Sequence, residues 1–343
     1  MKPVATWRLA RWLGPWAAAD GRPDVEREER LACGDRPMRV RLYRPRGRAY
    51  GSLLLVPGLH FAGPDDPRMD RFAAILAHAG LWVWAPFLPD FLDLRITPRL
   101  VDDTHRALDA MLADEGRPAG RPAVFSISFG SLPALRVVAA RPDDVAGLVA
   151  FGGYAEWDEA MRFCLHGGDG VPHDPVNRPV VYLNLVDAPD AVRAAWRAYV
   201  VETWGSVDMK QEAAWRAVAD RIAAGLAAPH RELFLQGCGA VPGGTALVEA
   251  AIGAEDREWL DPRPHLGTIR CPVHLVHGRD DDVIPYTQSA RIAEALPDAA
   301  RAQVLLTGLY GHTGQAGVRL GVLFRELRSM LAILRAITES PGA

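Results

Sequence analysis

The chain has 343 residues, 49% of them hydrophobic, and a formal net charge of -3. This length and apolar content provide for a large core, built either as one α/β domain with an insertion or as two domains. The near-neutral charge gives no electrostatic basis for binding nucleic acid. Lysine is confined to Lys2 and Lys210, so the basic charge is almost all arginine, a compositional habit rather than a binding device.

Residues 1–23 form the first distinct stretch. Arg8 and Arg11 break any apolar signal-peptide core, so secretion is disfavoured and a cytoplasmic location is expected. Leu9, Leu13 and Trp16 recur at helical spacing beside Trp12. The segment is read as an amphipathic helix packed on the protein body, with contact to a membrane surface as the second reading. No stretch of the chain reaches the roughly 18 apolar residues of a membrane span.

"VEREERLACG" and "MRVRLYRP" then read as strands, the second alternating apolar and charged residues. "GSLLLVPG" is a continuous apolar run ending at Pro57 and Gly58, the pattern of a buried parallel strand. The helix "RMDRFAAILAHAG", closed by Gly80, leads to the strand "LWVWAPFLPD". The helix "PRLVDDTHRALDAMLAD" brings Leu100, Thr104, Leu108 and Met111 near one face. "PAVFSIS" and, after another helix, "VAGLVAFGG" are the next strands. From about Tyr154 to Leu266 the pattern turns helical, broken at "HGGDG" and "AVPGG". Strand and helix alternate again through "PVHLVHG", "YTQSARIAEALPDA" and "AQVLLTG". The last helix carries an apolar stripe of Phe324, Leu327, Leu331 and Leu334.

This order predicts an α/β fold: a mostly parallel, doubly wound sheet with helices on both faces. Residues 24–154 and 266–343 form its core. Residues 155–265 are too long for a loop and are expected to form a helical cap over the strand ends. The cysteines, Cys33, Cys164, Cys238 and Cys271, stand far apart with no C-x-x-C pair. Reduced, mostly buried thiols are therefore expected rather than a zinc site or a disulfide framework.

"AVFSISFGSLPALRV", residues 123–137, runs from a strand into a helix through a sharp turn and resembles the nucleophile elbow of α/β hydrolases, G-x-S-x-G. Gly130 stands two places after Ser128, whereas a choice of Ser126 would put β-branched Val124 at the tight flank. Ser131 would already lie inside the helix. Ser128 is the expected nucleophile, with Ser126 as a small replacement for the first glycine. The "HGRDDDVIP" segment follows a strand, and its G-x-x-D-x-x-[VI]-P spacing selects Asp281 as the acid. Three adjacent aspartates without EF-hand spacing are otherwise a solvated turn. His312, in "LLTGLYGHTG", follows the last strand and is the expected base, while His274 and His277 are read as structural, with His277 able to orient the acid loop. The backbone N–H groups of Phe129 and Leu59 are the expected oxyanion donors, with His60 and Phe61 lining the pocket.

"SISFG", "HGRDDDVIP" and "YGHTG", in that order, resemble the α/β-hydrolase superfamily from about Met38 to Ile337, with the insertion at the usual cap position. "DPRPHLGTIRCPVHLVHGRDDDVIP" resembles the acid-loop region of serine esterases and dienelactone-hydrolase-like proteins, although no cysteine stands at the elbow. The resemblance implies a serine hydrolase of carboxylic ester or thioester bonds that uses neither cofactor nor metal. Trp157, Trp196, Trp204 and Trp215 in the insertion point to an apolar wall, hence a small lipophilic substrate. An acyltransferase with the same triad and a non-catalytic ligand-binding relative are the alternatives. No G-x-G-x-x-G follows a strand and no P-loop is present, so a nucleotide site has no support.

Overall fold

The coordinates are those of a computed structural model, which describes residues 2–14, 21–32, 34–168, 173–211, 213–252, 257–308 and 320–341. One sheet contains β1 (Glu26–Ala32), β2 (Met38–Arg44), β3 (Gly51–Val56), β4 (Leu81–Pro86), β5 (Ala123–Ile127), β6 (Gly147–Phe151), β7 (Val273–Gly278) and β8 (Gln303–Thr307). Their order is β1-β2-β4-β3-β5-β6-β7-β8. β2 is antiparallel to both β1 and β4, and every pairing from β4 through β8 is parallel. The composition of the strands follows their place. β3, GSLLLV, is buried at every position, as a strand covered on both faces must be. Edge strand β1, EREERLA, is mostly charged, which blunts an otherwise open edge.

Ahead of the insertion lie α1 (Lys2–Leu13), α2 (Pro67–His78), α3 (Pro89–Leu92), α4 (Arg99–Leu112) and α5 (Ser131–Ala140). Between β6 and β7 come α6 (Trp157–His166), α7 (Arg178–Leu185), α8 (Asp190–Thr203), α9 (Val207–Gln211), α10 (Trp215–Ala224), α11 (Ala228–Gly237) and α12 (Gly244–Ile252). α13 (Thr287–Ala295) and α14 (Leu320–Glu339) follow β7 and β8. α1, α2 and α14 cover one face of the sheet, and α4, α5 and α13 the other, where the helices of the insertion join the same core.

Local rules explain the helix positions. Asp66 caps α2 by accepting the N–H groups of Arg68 and Met69, and Gly80, at φ +109°, turns the chain after it. On α4 the expected face is buried throughout, with the Thr104 hydroxyl donating to the Leu100 carbonyl at 2.8 Å. The stripe on α14 falls differently: Leu331 is 40% exposed, and Met330, Ile333, Leu334 and Ile337 face the core. The side chains of Phe324 and Leu327 lie outside the described ones. α1 packs on the body through Leu9, and Thr6 bonds Thr338 of α14 at 3.1 Å, while Trp7 stays exposed. Trp16 and Cys33 lie outside the described residues, and Cys164, Cys238 and Cys271 are free and buried. No described helix is long and apolar enough to cross a membrane.

Candidate active site

β5 ends at Ile127, and Ser128 opens a 3₁₀ turn, Ser128–Gly130, that runs directly into α5. Ser128 has a φ of +52°, a left-handed conformation costing an L-residue about 1–2 kcal/mol. Leu94, Ala213 and Arg301 also have positive φ, so this conformation alone does not mark a site. The packing around Ser128 is more specific. A Cβ at Gly130 would stand 2.2 Å from the Pro57 carbonyl oxygen. One at Gly58 would stand 3.2 Å from the Ile127 carbonyl and 3.4 Å from the Ser128 Cβ. The turns after β3 and β5 therefore press together backbone to backbone, and only glycine permits this at Gly130.

The three serines have different surroundings. Ser126 and Ser131 are fully buried, and Ser128 is partly open. Ser131 Oγ accepts the Tyr154 N–H at 3.3 Å, so its hydroxyl is part of the packing. Ser126 Oγ has no hydrogen-bond partner among the described residues. Phe129 lies in the first turn of its helix, whose N-cap Ile127 makes no side-chain capping bond. Its N–H is thus one of the donors a helix start leaves open. Its ring packs on Tyr154 at 5.5 Å and Trp157 at 5.9 Å.

Leu59 follows Gly58 beside this turn and is buried. Both nitrogens of His60 are occupied: Nδ1 accepts the Ala62 N–H at 3.1 Å, and Nε2 lies 3.3 Å from Asp66 Oδ2. Burial pushes the His60 pKa down, against the pull of Asp66. A neutral ring with its proton on Nε2 satisfies both contacts. His60 therefore presents a flat ring rather than a free base. It stacks on Phe61 at 4.4 Å, and Trp204 at the end of α8 completes the group at 5.4 Å from His60 and 6.4 Å from Phe61. Trp196 and Trp215 belong instead to the buried core, and Trp196 Nε1–H donates to the Phe234 carbonyl. Of the four tryptophans, Trp157 and Trp204 pack against the residues around the elbow.

Asp281 follows β7 and is 3% exposed. Its Oδ1 accepts the N–H groups of Val283 and Ile284, both at 2.9 Å. Its Oδ2 lies 3.4 Å from His277 Nε2 and 3.4 Å from the place a Cβ on Gly152, just beyond β6, would take. His277 is fully buried, with Nδ1 2.7 Å from Ser289 Oγ and Nε2 2.9 Å from the Ile284 carbonyl. Nε2 faces only acceptors, so it carries the proton, and Nδ1 accepts the Ser289 hydroxyl. His277 braces the loop that carries Asp281. Asp280 is exposed, whereas Asp282 is not a solvated side chain: it pairs with Lys210.

Ser128 and Asp281 stand at the same end of the sheet, just after β5 and β7, with β6 between those strands. Two strand spacings amount to about 10 Å. His312 lies outside the described residues. β8, which precedes it, pairs in parallel with β7 up to Thr307 opposite Gly278, so the chain leaves the sheet at that same end. An open concavity of about 700 Å³ lies elsewhere, lined by Arg27, Arg41, Asp65 and Asp70 among others. Its charged groups pair with one another, and it contains none of the candidate residues.

Sheet order, the helical insertion after β6 and the elbow after β5 define the α/β-hydrolase fold. No family model matches the sequence, and no curated protein matches it. Solved structures do resemble it. A 2,6-dihydroxy-pseudo-oxynicotine hydrolase superposes with a TM-score of 0.52 at 15% identity, over 93% of this chain and 68% of that one. An esterase of Pyrococcus furiosus gives 0.53 at 11% identity, over 93% and 92%. An acylaminoacyl peptidase of Pyrococcus horikoshii gives 0.50 at 12% identity, over 92% of this chain but 41% of the peptidase. At these identities the likeness is one of fold.

Asp174 and Lys210 join the insertion to the loop that carries Asp281. Both stand far from Asp282 in the chain, so the rarity of lysine is their only signal in the sequence.

Proposed function

We infer that this protein is a serine hydrolase that cleaves carboxylic ester or thioester bonds of a small, lipophilic substrate. The observation that carries the reading is Ser128: a partly exposed serine in a left-handed turn, held where β5 meets α5 by glycine contacts to the loop after β3. In this mechanism Ser128 Oγ attacks the substrate carbonyl as His312 accepts its proton. The Leu59 and Phe129 N–H groups stabilise the oxyanion. The leaving alcohol or thiol takes the proton from His312, and a water, deprotonated by the same histidine, releases the acyl group. Asp281 keeps the imidazole in the required tautomer. Its buried carboxylate, held by two backbone N–H groups, suits that role. The insertion serves as the cap, with Trp157, Trp204, His60 and Phe61 supplying an aromatic surface. The esterase among the neighbours agrees with ester cleavage, and the peptidase among them makes amides the competing substrate class.

Labelling with a fluorophosphonate, followed by mapping of the adduct by mass spectrometry, tests the reading. The adduct is expected on Ser128, and Ser128→Ala is expected to abolish both labelling and hydrolysis of aryl esters. An adduct on Ser126 or Ser131, or none, would overturn it.

A further inference from the structure

The turn that carries Asp281 is held from two sides. Three consecutive carbonyl groups each receive a donor: Asp282 from the Asp174 N–H at 3.0 Å, Val283 from the Cys164 thiol at 3.1 Å, and Ile284 from His277 Nε2. The first two donors come from the insertion and the third from the core. The N–H groups of Val283 and Ile284 hold Asp281 Oδ1, so the carboxylate is fixed by the same few peptides the insertion grips. Side chains complete the contact. Lys210 Nζ, on α9, pairs with Asp174 and lies 3.3 Å from Asp282 Oδ2. Asp282 Oδ1 is buried with no partner among the described residues.

We propose that Lys210 is a positioning residue that, by bridging Asp174 and Asp282, couples the seating of the helical insertion to the placement of the Asp281 carboxylate. The proposal rests on the serine-hydrolase reading and adds to it a requirement that the cap be docked before the triad is complete. Two carboxylates share one ammonium here, and burial pushes the Asp174 pKa up against the pull of Lys210, with Asp282 adding to the rise. Without the ammonium, the two carboxyl groups face each other with no counter-charge between them, and the hold of the insertion on the loop that carries Asp281 is weakened. Cys164 reinforces the contact as a neutral donor, since burial, followed by the nearby carboxylates, pushes its thiol pKa well up. Positional errors of about 1 Å can cost roughly 100-fold in rate, which makes this coupling visible in kcat.

The experiment uses the full chain and an aryl ester. Ser128→Ala and Asp281→Asn come first, because hydrolysis that survives Ser128→Ala at the wild-type rate removes the serine-hydrolase reading itself. With that reading intact, Lys210→Met is expected to lower kcat roughly 10- to 100-fold with KM changed by less than about threefold. Lys210→Arg is expected to keep most of kcat, because it restores the charge. Adding Asp174→Asn to Lys210→Met is expected to recover much of the loss, because it removes the opposed carboxylates. A Lys210→Met kcat within about twofold of wild type, equal losses for Met and Arg, or no recovery in the double variant overturns the proposal. Thermal unfolding monitors each variant. If Lys210→Met does not fold, Lys210→Gln takes its place: a kcat at least about fivefold down supports the bridge, and a smaller loss overturns it.

Discussion

Gly130 and Pro57 meet backbone to backbone: a methyl group at Gly130 would lie 2.2 Å from the Pro57 carbonyl oxygen and 3.2 Å from that of Val56. Neither carbonyl belongs to a flexible side chain, so the Gly130→Ala methyl can be accommodated only if α5 moves away from the loop after β3. That movement would separate Ser128 from Leu59. Gly130→Ala is expected to lose about 1–3 kcal/mol of stability and at least about 100-fold in ester hydrolysis. Gly47, which has open space around it, provides the control: Gly47→Ala is expected to leave both within error. Thermal unfolding and a steady-state assay read the result, and an unimpaired Gly130→Ala would show that the corner is not under steric control.

Ser126 gives the opposite expectation. Its hydroxyl is fully buried and has no partner among the described residues, while its backbone stays in the ladder opposite Val56 and Ala150. Ser126→Ala keeps the methylene and removes the polar atom. It is expected to leave hydrolysis intact and to hold or raise stability by up to about 1 kcal/mol. Ser126→Gly is also expected to keep activity, with a cost of about 0.5–1 kcal/mol from strand entropy. Loss of all activity in a folded Ser126→Ala protein would move the nucleophile assignment away from Ser128.

These two positions show why the tight turn after β5 was legible in the sequence. A crowded corner demands small residues at fixed offsets, and the sequence records that demand directly. The strands were legible for a related reason: β3 and β5 are apolar on both faces because helices cover both. Other features left no such record. Helical spacing identifies an apolar residue but not its neighbour, so Trp196 in the core and Trp204 beside His60 looked alike. On α14 Leu334 is buried as expected and Leu331 is not, because a helix rich in leucine and isoleucine offers several overlapping apolar faces. Asp282 read as part of a solvated turn because its partner Lys210 lies in another element, where no local pattern connects them.

Stability is expected to depend on pH with a definite sign. Burial lowers the pKa values of His60, His105, His173 and His274 below the ordinary histidine value of 6.5. A group with a depressed folded pKa contributes stability that is full above its unfolded value and lost as pH falls through the folded one. Carboxylates add to the trend at lower pH. Burial alone would raise the pKa values of Asp66 and Asp70, but Arg68 beside Asp66, and Tyr43 with Arg22 beside Asp70, outweigh it and lower both below 3.8. The thermal midpoint is therefore expected to be level above about pH 7 and to fall progressively below about pH 6.5. A midpoint unchanged between about pH 7.5 and 5 would contradict lowered pKa values at these half-buried histidines.

Trp204 makes the most direct test of whether the insertion shapes selectivity. Its Nε1–H donates to the Val176 carbonyl at 3.2 Å, which fixes the indole within the insertion. Its ring then meets His60 and Phe61, on the loop that also carries Leu59. Aromatic contacts of this kind contribute about 0.5–1.5 kcal/mol beyond area burial. Applied to a substrate ring held on the same surface, that energy corresponds to a roughly 2- to 10-fold change in kcat/KM. Trp204→Ala is thus expected to lower kcat/KM for an aryl-acyl ester by about that factor more than for an acetate of the same leaving group. Trp204→Phe keeps a ring and is expected to retain most of the preference. Trp196→Ala is the contrasting variant: it empties a buried site and is expected to cost about 3–5 kcal/mol of stability without changing the preference of the folded protein. Equal losses on both esters in Trp204→Ala would mean that the indole only supports the fold, and that another surface chooses the acyl group.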